Sequence, residues 1–480
     1  MNPNSPEENK TIRNIRRLIW LYFWLLLIEG ALRKWVVPAL SNPILIIRDP
    51  VVLLIYALAI KGRVFPRNGW VLAIGIIGIL SFLVSFIPLW PYIAPSRILL
   101  VSGFGFRANF LHLPLIFLMP LVLRPEDVKR LGWWTLIIAV PMALLMVAQF
   151  RAAPDAFLNR TASGEGEMMT AALGKVRTAA TFSFVTGVVA YFALAMGFLI
   201  WAALKRGIYK NWILFAAGIA LLIGTSVSGS RSVVGACAVV VLSLIVVLFV
   251  HPSAINRFGQ TLLVTVVLGF VVIQLPIFKE GLNVLTTRFA DVAEAEDRSV
   301  TAGLIQRASD TFSEGFLYIT KAPFLGYGLG IGTNAGAKFL TGRTTFLLSE
   351  GEWARIILES GPVLGLAYLI WRCGVVVRIG LLCLRSIMRN NVLPLLLFSS
   401  AFLPMISGQF GQPTILGFAV FAMGLALAAR HQDEESVTPP PFPGRGAGMG
   451  ERVTGRRSPY ADRMHGPTAR PDHRNGSTDR

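Results

Sequence analysis

Long apolar runs, separated by short polar segments, dominate the chain. The runs are continuous rather than alternating, and most are about 17–25 residues long, the length at which an α-helix crosses roughly 30 Å of hydrocarbon. The pattern therefore predicts membrane-spanning helices. We expect about twelve of them, near residues 18–37, 43–60, 69–89, 106–123, 132–150, 179–203, 212–228, 232–250, 261–278, 358–377, 391–408 and 413–430.

These spans divide the chain into five parts. A polar N-terminus, residues 1–17, precedes nine spans over residues 18–278. A polar loop, residues 279–357, separates them from three further spans over residues 358–430. The tail, residues 431–480, is rich in Pro, Gly and Arg and poor in aliphatic residues, which predicts disorder. The predicted fold class is an all-α polytopic membrane protein with one long loop that contains short helices.

The composition agrees with a membrane protein and argues against a soluble one. Hydrophobic residues make up 54% of the 480 residues and charged residues only 15%, whereas soluble domains carry about 25% charged residues. The net charge of +19 indicates nucleic-acid binding in a soluble protein. Here the lysines and arginines lie mostly in short loops, so we expect no nucleic-acid partner and a lipid bilayer as the surroundings.

The positions of the basic loops predict an orientation. With a cytoplasmic N-terminus, the short loops that face the cytoplasm hold most of the basic residues, as the positive-inside rule requires. The same alternation places residues 279–357 outside and the C-terminus in the cytoplasm. The basic residues of these inner loops are Lys61, Arg63, Arg67, Arg124, Lys129, Arg130, Lys205, Arg206, Lys210, Arg257, Arg385 and Arg389.

The segment 224–232, rich in serine and glycine, lies between two predicted spans on the outer side. Small residues let helices pack closely and leave a cavity near the membrane surface. Arg231 lies at the mouth of that cavity, where a guanidinium can bind a pyrophosphate through two parallel hydrogen bonds. The alternative is a tight helical hairpin whose arginine anchors at the level of the lipid headgroups.

Two further segments of the outer loop carry candidate chemistry. Arg307 precedes Phe312 and Phe316, whose spacing predicts an amphipathic helix on or near the membrane; the arginine points either into a site or into water. Glu350 and Glu352 precede a predicted span. Acidic residues there either cap a helix or, at a membrane-edge cavity beside arginines, act as a general base.

The glycine-rich segment 323–334 lacks the Lys-Ser/Thr ending of a P-loop, so it predicts tight turns and close backbone approach. For Glu359, close to Gly361 and Pro362, we expect a structural role: hydrogen bonding to backbone that the proline leaves free. None of the five histidines lies in residues 279–357, which excludes a histidine catalyst in that loop.

Five ionisable residues lie in or beside the N-terminal spans. Charges inside a membrane are expensive and usually paired. Arg48 and Asp49 are adjacent, so we expect each of them to pair with a residue elsewhere in the chain. The five residues are Glu29, Arg33, Arg48, Asp49 and Arg107.

Four local patterns follow one another over residues 130–430. They are Arg177-Thr-Ala-Ala-Thr-Phe182, Ser228-Gly-Ser-Arg-Ser232, Arg307 followed by Pro323-Phe-Leu-Gly-Tyr-Gly328, and Glu359-Ser-Gly-Pro-Val-Leu-Gly365. In their order, spacing and topology they resemble the O-antigen ligase and O-antigen polymerase superfamily of bacterial membrane glycosyltransferases. That family often has His-Asn nine residues before the glutamate of the last pattern, where this chain has Glu350 and Gly351.

The resemblance implies a GT-C-like fold in the bacterial inner membrane, with the long loop in the periplasm. It implies an undecaprenyl-pyrophosphate-linked saccharide as donor, bound by Arg231 and Arg307 with help from Arg177. Glu350 or Glu352 then takes the place of the family's histidine as the base. No cofactor and no metal are expected, because cationic side chains neutralise the leaving group. Proteins of polysaccharide export or chain-length control are possible partners.

Two other functions stay open on the sequence. A transporter or flippase for a lipid-linked oligosaccharide needs polar residues along a path through many spans, whereas the C-terminal spans here are nearly free of charge. A non-catalytic scaffold for envelope assembly would use the outer loop to bind a protein. Between the two catalytic options, the sequence favours a polymerase only slightly over a ligase.

Overall fold

A computed structural model of the protein describes residues 6–162, 169–205, 207–250, 274–296, 312–343 and 346–430. These residues form helices joined by turns, and in place of a β-sheet they contain one isolated β-bridge, between Thr170 and Val176. The predicted all-α class is therefore confirmed. Arg307, most of the predicted span 261–278 and the tail 431–480 lie outside the described residues.

Fifteen helices are labelled here in chain order, and shorter helical turns are left unlabelled. They are α1 (Pro6–Ala31), α2 (Arg48–Lys61), α3 (Gly69–Val84), α4 (Pro95–Phe106), α5 (Leu115–Val122), α6 (Pro125–Arg151), α7 (Val185–Leu204), α8 (Asn211–Val227), α9 (Arg231–Val250), α10 (Pro276–Glu296), α11 (312–319), α12 (Asn334–Thr341), α13 (Glu352–Ile387), α14 (Leu393–Ser407) and α15 (Pro413–Ala429).

Several of these helices are suited to a membrane by length and apolar composition. Five of them, in the described part of the chain, are long enough to cross a bilayer: Gly69–Leu89, Pro125–Arg151, Val185–Leu204, Arg231–Phe249 and Glu352–Ile387. A sixth span results if Pro95–Leu111 and Leu115–Val122, bent by 43°, count as one. The helices α8, α14 and α15 are apolar but shorter. The protein is thus a helical membrane protein, and the larger number of about twelve spans stays a prediction.

The last helix, α15, forms the centre of the bundle. It is apolar around its whole circumference, and nearly all of its side chains are buried. It packs against α14, α5 and α7. An apolar helix of a membrane protein can face either lipid or protein, but the side chains of α15 are buried on every side, so α15 is the element around which the other helices are arranged.

The long helix α13 is interrupted near its start. Gly361 has a φ of 76°, and the next residue, Pro362, has no N–H to continue the helix. The carbonyls of Leu358 and Glu359 lose their partners there, and they accept hydrogen bonds from the N–H groups of Tyr327 (2.8 Å) and Gly328 (3.0 Å). The glycine-rich segment therefore provides hydrogen bonds to the two carbonyls that the interruption of α13 leaves free.

The predicted role of this glycine-rich segment is confirmed. Gly326, Gly328 and Gly330 all have positive φ values, and a Cβ on Gly326 or Gly330 would overlap neighbouring backbone atoms. Glu359, by contrast, does not bond the freed carbonyls. One oxygen of its carboxylate accepts from the Gly332 N–H (2.9 Å) and the other from Arg355 (2.8 Å), so its structural role differs from the predicted one.

The adjacent charges of α2 pair with different partners, as expected. Arg48 Nε lies 3.0 Å from the Glu29 carboxylate of α1. Asp49 accepts from Arg107 Nε after α4 and lies 3.0 Å from His112 Nε2. These buried pairs fix α2 between α1 and the segment that follows α4.

Candidate functional site

Arg177 belongs to the connection between α6 and α7. The chain turns back on itself there, with the Ala171 N–H donating to Lys175 O and the Arg177 N–H donating to Met169 O. The Thr178 hydroxyl donates to the carbonyl of Val227, the last residue of α8 (3.2 Å). This hydrogen bond holds Arg177 beside the turn between α8 and α9.

Arg231 is the first residue of α9. The turn before it requires Gly229, whose φ is +58°. The Ser228 hydroxyl donates to Thr225 O (2.7 Å) and accepts from the Ser230 N–H (3.2 Å), which closes the turn. The predicted tight helical hairpin is therefore present, and it aims the N-terminal end of α9 and the Arg231 side chain at a cavity.

A third arginine comes from α10. Gly281 of this helix lies so close to the backbone at Ser226 that a Cβ would overlap it, and Lys175 forms an ion pair with Glu280 (2.7 Å). The docked helix brings Arg288 beside Arg231, whose Nη1 donates to the Arg288 carbonyl (3.3 Å).

The three arginines line one cavity of about 840 Å³. The rest of its described lining consists of residues with a hydroxyl group, among them Ser230, Ser232 and Ser400, of two glycines, and of apolar side chains from α7, α9, α14 and α15. No carboxylate occurs among the described residues of this lining. We call this space the arginine cavity.

The electrostatics of the arginine cavity favour an anion. Burial lowers the pKa of Arg177 from its ordinary value, and the positive charges of Arg288 and Arg231 lower it further. In the described part of the chain, the buried Nε atoms of Arg177 and Arg288 have no hydrogen-bond partner. Unsatisfied buried donors are costly, and a multiply charged oxyanion supplies both acceptors and the missing negative charge. The N-terminus of α9 adds to the attraction.

The two candidate glutamates have different surroundings. Glu350 is exposed, and its backbone carbonyl accepts from the side chain of Gln409 (2.7 Å). The residue before Gln409, Gly408, lines the arginine cavity. Glu350 therefore lies on the segment that is tied to the wall of the cavity, with its carboxylate in solvent.

Glu352 is buried and fully engaged. Its Oε1 accepts from Arg372 Nη1 (2.9 Å) and from the Phe410 N–H (3.2 Å), and its Oε2 accepts from Arg355 Nε (3.0 Å). Arg372 in turn donates to the carbonyls of Met405 and Gly408. The network connects the start of α13 to the turn between α14 and α15.

Phe312 and Phe316 of α11 also contact this region. Their rings lie 4.8 Å and 5.9 Å from that of Trp353, in edge-to-face arrangements. The helix predicted from their spacing is present at 312–319, and one of its faces packs on α13. Arg307 itself lies outside the described residues.

Among the predicted binding residues, the structure brings Arg177 and Arg231 together. The arginine that joins them among the described residues is Arg288, which the sequence shows only as one of several spaced arginines in the outer loop. The available signal was the apolar pattern of Pro276–Glu296, which indicates a helix, but its docking on α8 depends on a tertiary contact at Gly281.

A group of three or more His, Cys, Asp or Glu residues suited to hold a metal ion is not found in the part of the chain that the structure describes. No protein-family model and no curated protein matches the chain.

Proposed function

We propose that the protein is a membrane glycosyltransferase of the O-antigen ligase or polymerase type. It transfers or polymerises a saccharide that is linked to a lipid pyrophosphate. The observation that carries this proposal is the convergence of Arg177, Arg231 and Arg288 on one cavity without a described carboxylate. A pyrophosphate is the part of such a donor that three guanidinium groups recognise best.

The proposed reaction is a displacement at the anomeric carbon of the donor. The acceptor hydroxyl loses its proton to a carboxylate and its oxygen forms the new glycosidic bond. The bond between the anomeric carbon and the pyrophosphate oxygen breaks, and the pyrophosphate lipid leaves with the electron pair. The arginines stabilise the charge that develops on this leaving group, which is where fixed cations accelerate a reaction.

Glu350 is the better base of the two proposed glutamates. Its carboxylate is exposed and so is free to meet an acceptor hydroxyl. Glu352 has to break ion pairs with Arg355 and Arg372 before it can accept a proton. We therefore assign Glu352 to positioning: it holds the turn that carries Gly408 at the cavity wall. Arg307 stays a proposed additional ligand of the donor.

The proposed location is the bacterial inner membrane, with the arginine cavity on the periplasmic side and both termini in the cytoplasm. Support comes from the basic loops. Lys205 and Lys210 precede α8, whereas the arginine cavity lies at the other end of this helix. The positive-inside rule assigns the end with the short basic loop to the cytoplasm.

The test uses purified full-length protein in vesicles with a lipid-linked oligosaccharide. For the wild type we expect glycosidic bond formation with release of the pyrophosphate lipid. Arg231→Ala and Arg288→Ala should each reduce the rate about a hundredfold, the usual effect of removing one charge-stabilising donor. Arg343→Ala is the matched control, because Arg343 is exposed in the same loop and does not line the cavity.

The same assay separates the competing functions. Movement of the oligosaccharide across the vesicle membrane without a new bond identifies a flippase, and neither movement nor bond formation leaves a scaffold. Transfer at the wild-type rate in Arg231→Ala and Arg288→Ala removes these arginines from the mechanism.

A further inference from the structure

A second and larger space, of about 1290 Å³, begins at the N-terminal end of α7, where Thr186 lines both this space and the arginine cavity. Its walls are mainly apolar and include Leu53 of α2, Leu99 and Phe104 of α4, and Phe339 of α12. Leu53, Leu99 and Phe339 are each about half exposed. We call this space the amphipathic cavity. It exceeds the roughly 300–1,000 Å³ that drug-sized ligands fill, so it has room for a long hydrocarbon chain.

The described ionisable residues that line the amphipathic cavity are three cations and one carboxylate: Arg33, Arg107, Lys338 and Asp49. Asp49 is already paired with Arg107 and hydrogen-bonded to His112. The cavity therefore combines apolar walls with a set of polar groups in which positive charge is in excess.

Charged residues that lie next to the lining residues do not neutralise this excess of positive charge. Glu29 is the other carboxylate in contact with the group, at 3.0 Å from Arg48 and 3.7 Å from Arg33. Within the described part of the chain, the three guanidinium groups of Arg33, Arg48 and Arg107 thus share two carboxylates. Each buried charge without a counterion is costly, so the group lacks one negative charge.

A buried hydrogen-bond donor without a partner also indicates that a negatively charged group is missing. Arg107 is 6% exposed, and its Nη1 has no hydrogen-bond partner among the described residues. Its Nε and Nη2 are bound to Asp49 and to the Leu45 carbonyl (2.9 Å). The guanidinium is thus held in place by two of its nitrogens, and the third, Nη1, is available to donate a hydrogen bond to an anionic ligand.

We propose that the amphipathic cavity binds a lipid with an anionic headgroup. The headgroup meets Arg33, Arg107 and Lys338, and the hydrocarbon chains lie along the apolar walls. This site is separate from the one assigned to the donor pyrophosphate and does not rest on the proposed function. The ligand is either an anionic phospholipid of the bilayer or a polyprenyl pyrophosphate, since both combine an apolar chain with negative charge.

The two cavities are neighbours. Thr186 at the start of α7 lines both of them, and its hydroxyl donates to Gln412 Oε1 (3.1 Å). Gln412 lines only the amphipathic cavity, and its side-chain nitrogen donates to Gln409 (2.6 Å). The side chain of Thr186 therefore separates a lipid bound in the amphipathic cavity from the arginine cavity.

Three helical glycines allow a test that does not disturb the ion pairs. Gly103 lines the amphipathic cavity, Gly235 lines the arginine cavity, and Gly75 lines neither. A Cβ on any of the three meets open space, and leucine is a better helix former than glycine. Gly103→Leu, Gly235→Leu and Gly75→Leu should therefore fold, and each should fill a different space.

Binding is measured by native mass spectrometry on the purified full-length protein after removal of bound lipid. The probes are phosphatidylglycerol, phosphatidylcholine with the same acyl chains, and a polyprenyl pyrophosphate. We expect an anionic probe to bind at least tenfold more tightly than phosphatidylcholine. Gly103→Leu should weaken binding of the anionic probe to one site at least tenfold relative to Gly75→Leu, and Gly235→Leu should leave binding to that site unchanged. Lys338→Gln should weaken it about fivefold, the effect of one basic residue near a lipid headgroup.

The outcomes identify the source of the lipid. Phosphatidylglycerol binding that Gly103→Leu abolishes indicates a bilayer phospholipid. Binding of the polyprenyl pyrophosphate alone, with one bound molecule lost in Gly103→Leu and kept in Gly235→Leu, indicates a lipid carrier. Equal binding of phosphatidylcholine, or binding that Gly103→Leu leaves at the Gly75→Leu level, overturns the proposal. Transfer activity is not part of these measurements, so they succeed or fail independently of the glycosyltransferase assay.

Discussion

Arg177, Arg231 and Arg288 repel one another across the arginine cavity as long as no anion lies between them. The lowered pKa of Arg177 expresses this repulsion in addition to burial. Each guanidinium is held by its own element: a hydrogen-bonded loop, a helix N-terminus and a docked helix. Because these supports do not depend on a ligand, the fold itself holds the three positive charges close together, and an anion that binds between them relieves their repulsion.

The first prediction at the scale of residues concerns this release. Inorganic pyrophosphate should raise the thermal unfolding midpoint of the purified protein, since a ligand that binds only the folded state stabilises it by about 2.7 kcal/mol at a hundred times its Kd. Arg288→Ala should lose most of this shift, whereas Arg343→Ala should keep it. An equal shift in both variants would show that pyrophosphate binds elsewhere.

The two glutamates at the start of α13 give a second prediction. Glu352→Gln should lower the free energy of unfolding by about 3 kcal/mol, because it breaks a buried ion-pair network with Arg355 and Arg372. Glu350→Gln should leave the unfolding midpoint unchanged, since the side chain is exposed, and should abolish saccharide transfer. Chemical denaturation and the transfer assay measure the two effects separately. A Glu350→Gln variant with wild-type activity excludes Glu350 as the base.

At the scale of elements, the break in α13 depends on the glycine-rich turn. Gly326→Ala forces a side chain into a φ of +72° and against the Glu359 carbonyl. Gly342→Ala has nearly the same backbone requirement, a φ of +75°, but open space around the new Cβ. We expect about 1 kcal/mol of destabilisation at Gly342 from strain alone and at least about 3 kcal/mol at Gly326. Equal losses in thermal unfolding would mean that the contact with α13 does not contribute.

The elements also show what the sequence can predict. The helices follow from their continuous apolar runs, and the hairpin between α8 and α9 follows from glycine and serine at 224–232. Arg231 was predicted as a binding residue from its own segment, and Arg177 only from the resemblance that the four local patterns carry. Arg288 was not, because its place depends on how closely Gly281 of α10 approaches Ser226. Likewise, the pairing of Arg48 with Glu29 and of Asp49 with Arg107 required the packing of separate helices.

At the scale of the whole molecule, the arginine cavity and the short basic loop that precedes α8 lie at opposite ends of that helix. Its 17 residues span about 26 Å, close to the thickness of the hydrocarbon core. Asn283 of α10 is exposed, and two residues before it Gly281 packs against Ser226 near the C-terminal end of α8. Lys210 is exposed just before the N-terminal end. Asn283 and Lys210 are thus exposed positions near opposite ends of α8, and labelling them shows which end faces which side of the membrane.

The expected orientation follows from charge, because basic loops stay on the cytoplasmic side. In intact bacterial cells, Asn283→Cys should react with a membrane-impermeant maleimide, and Lys210→Cys should react only after the membrane is permeabilised. The unsubstituted chain is the control for its own cysteines, of which Cys237 and Cys383 are buried. The reverse pattern would place the three arginines in the cytoplasm, where a periplasmic saccharide donor does not reach them, and would contradict the proposed transfer reaction itself.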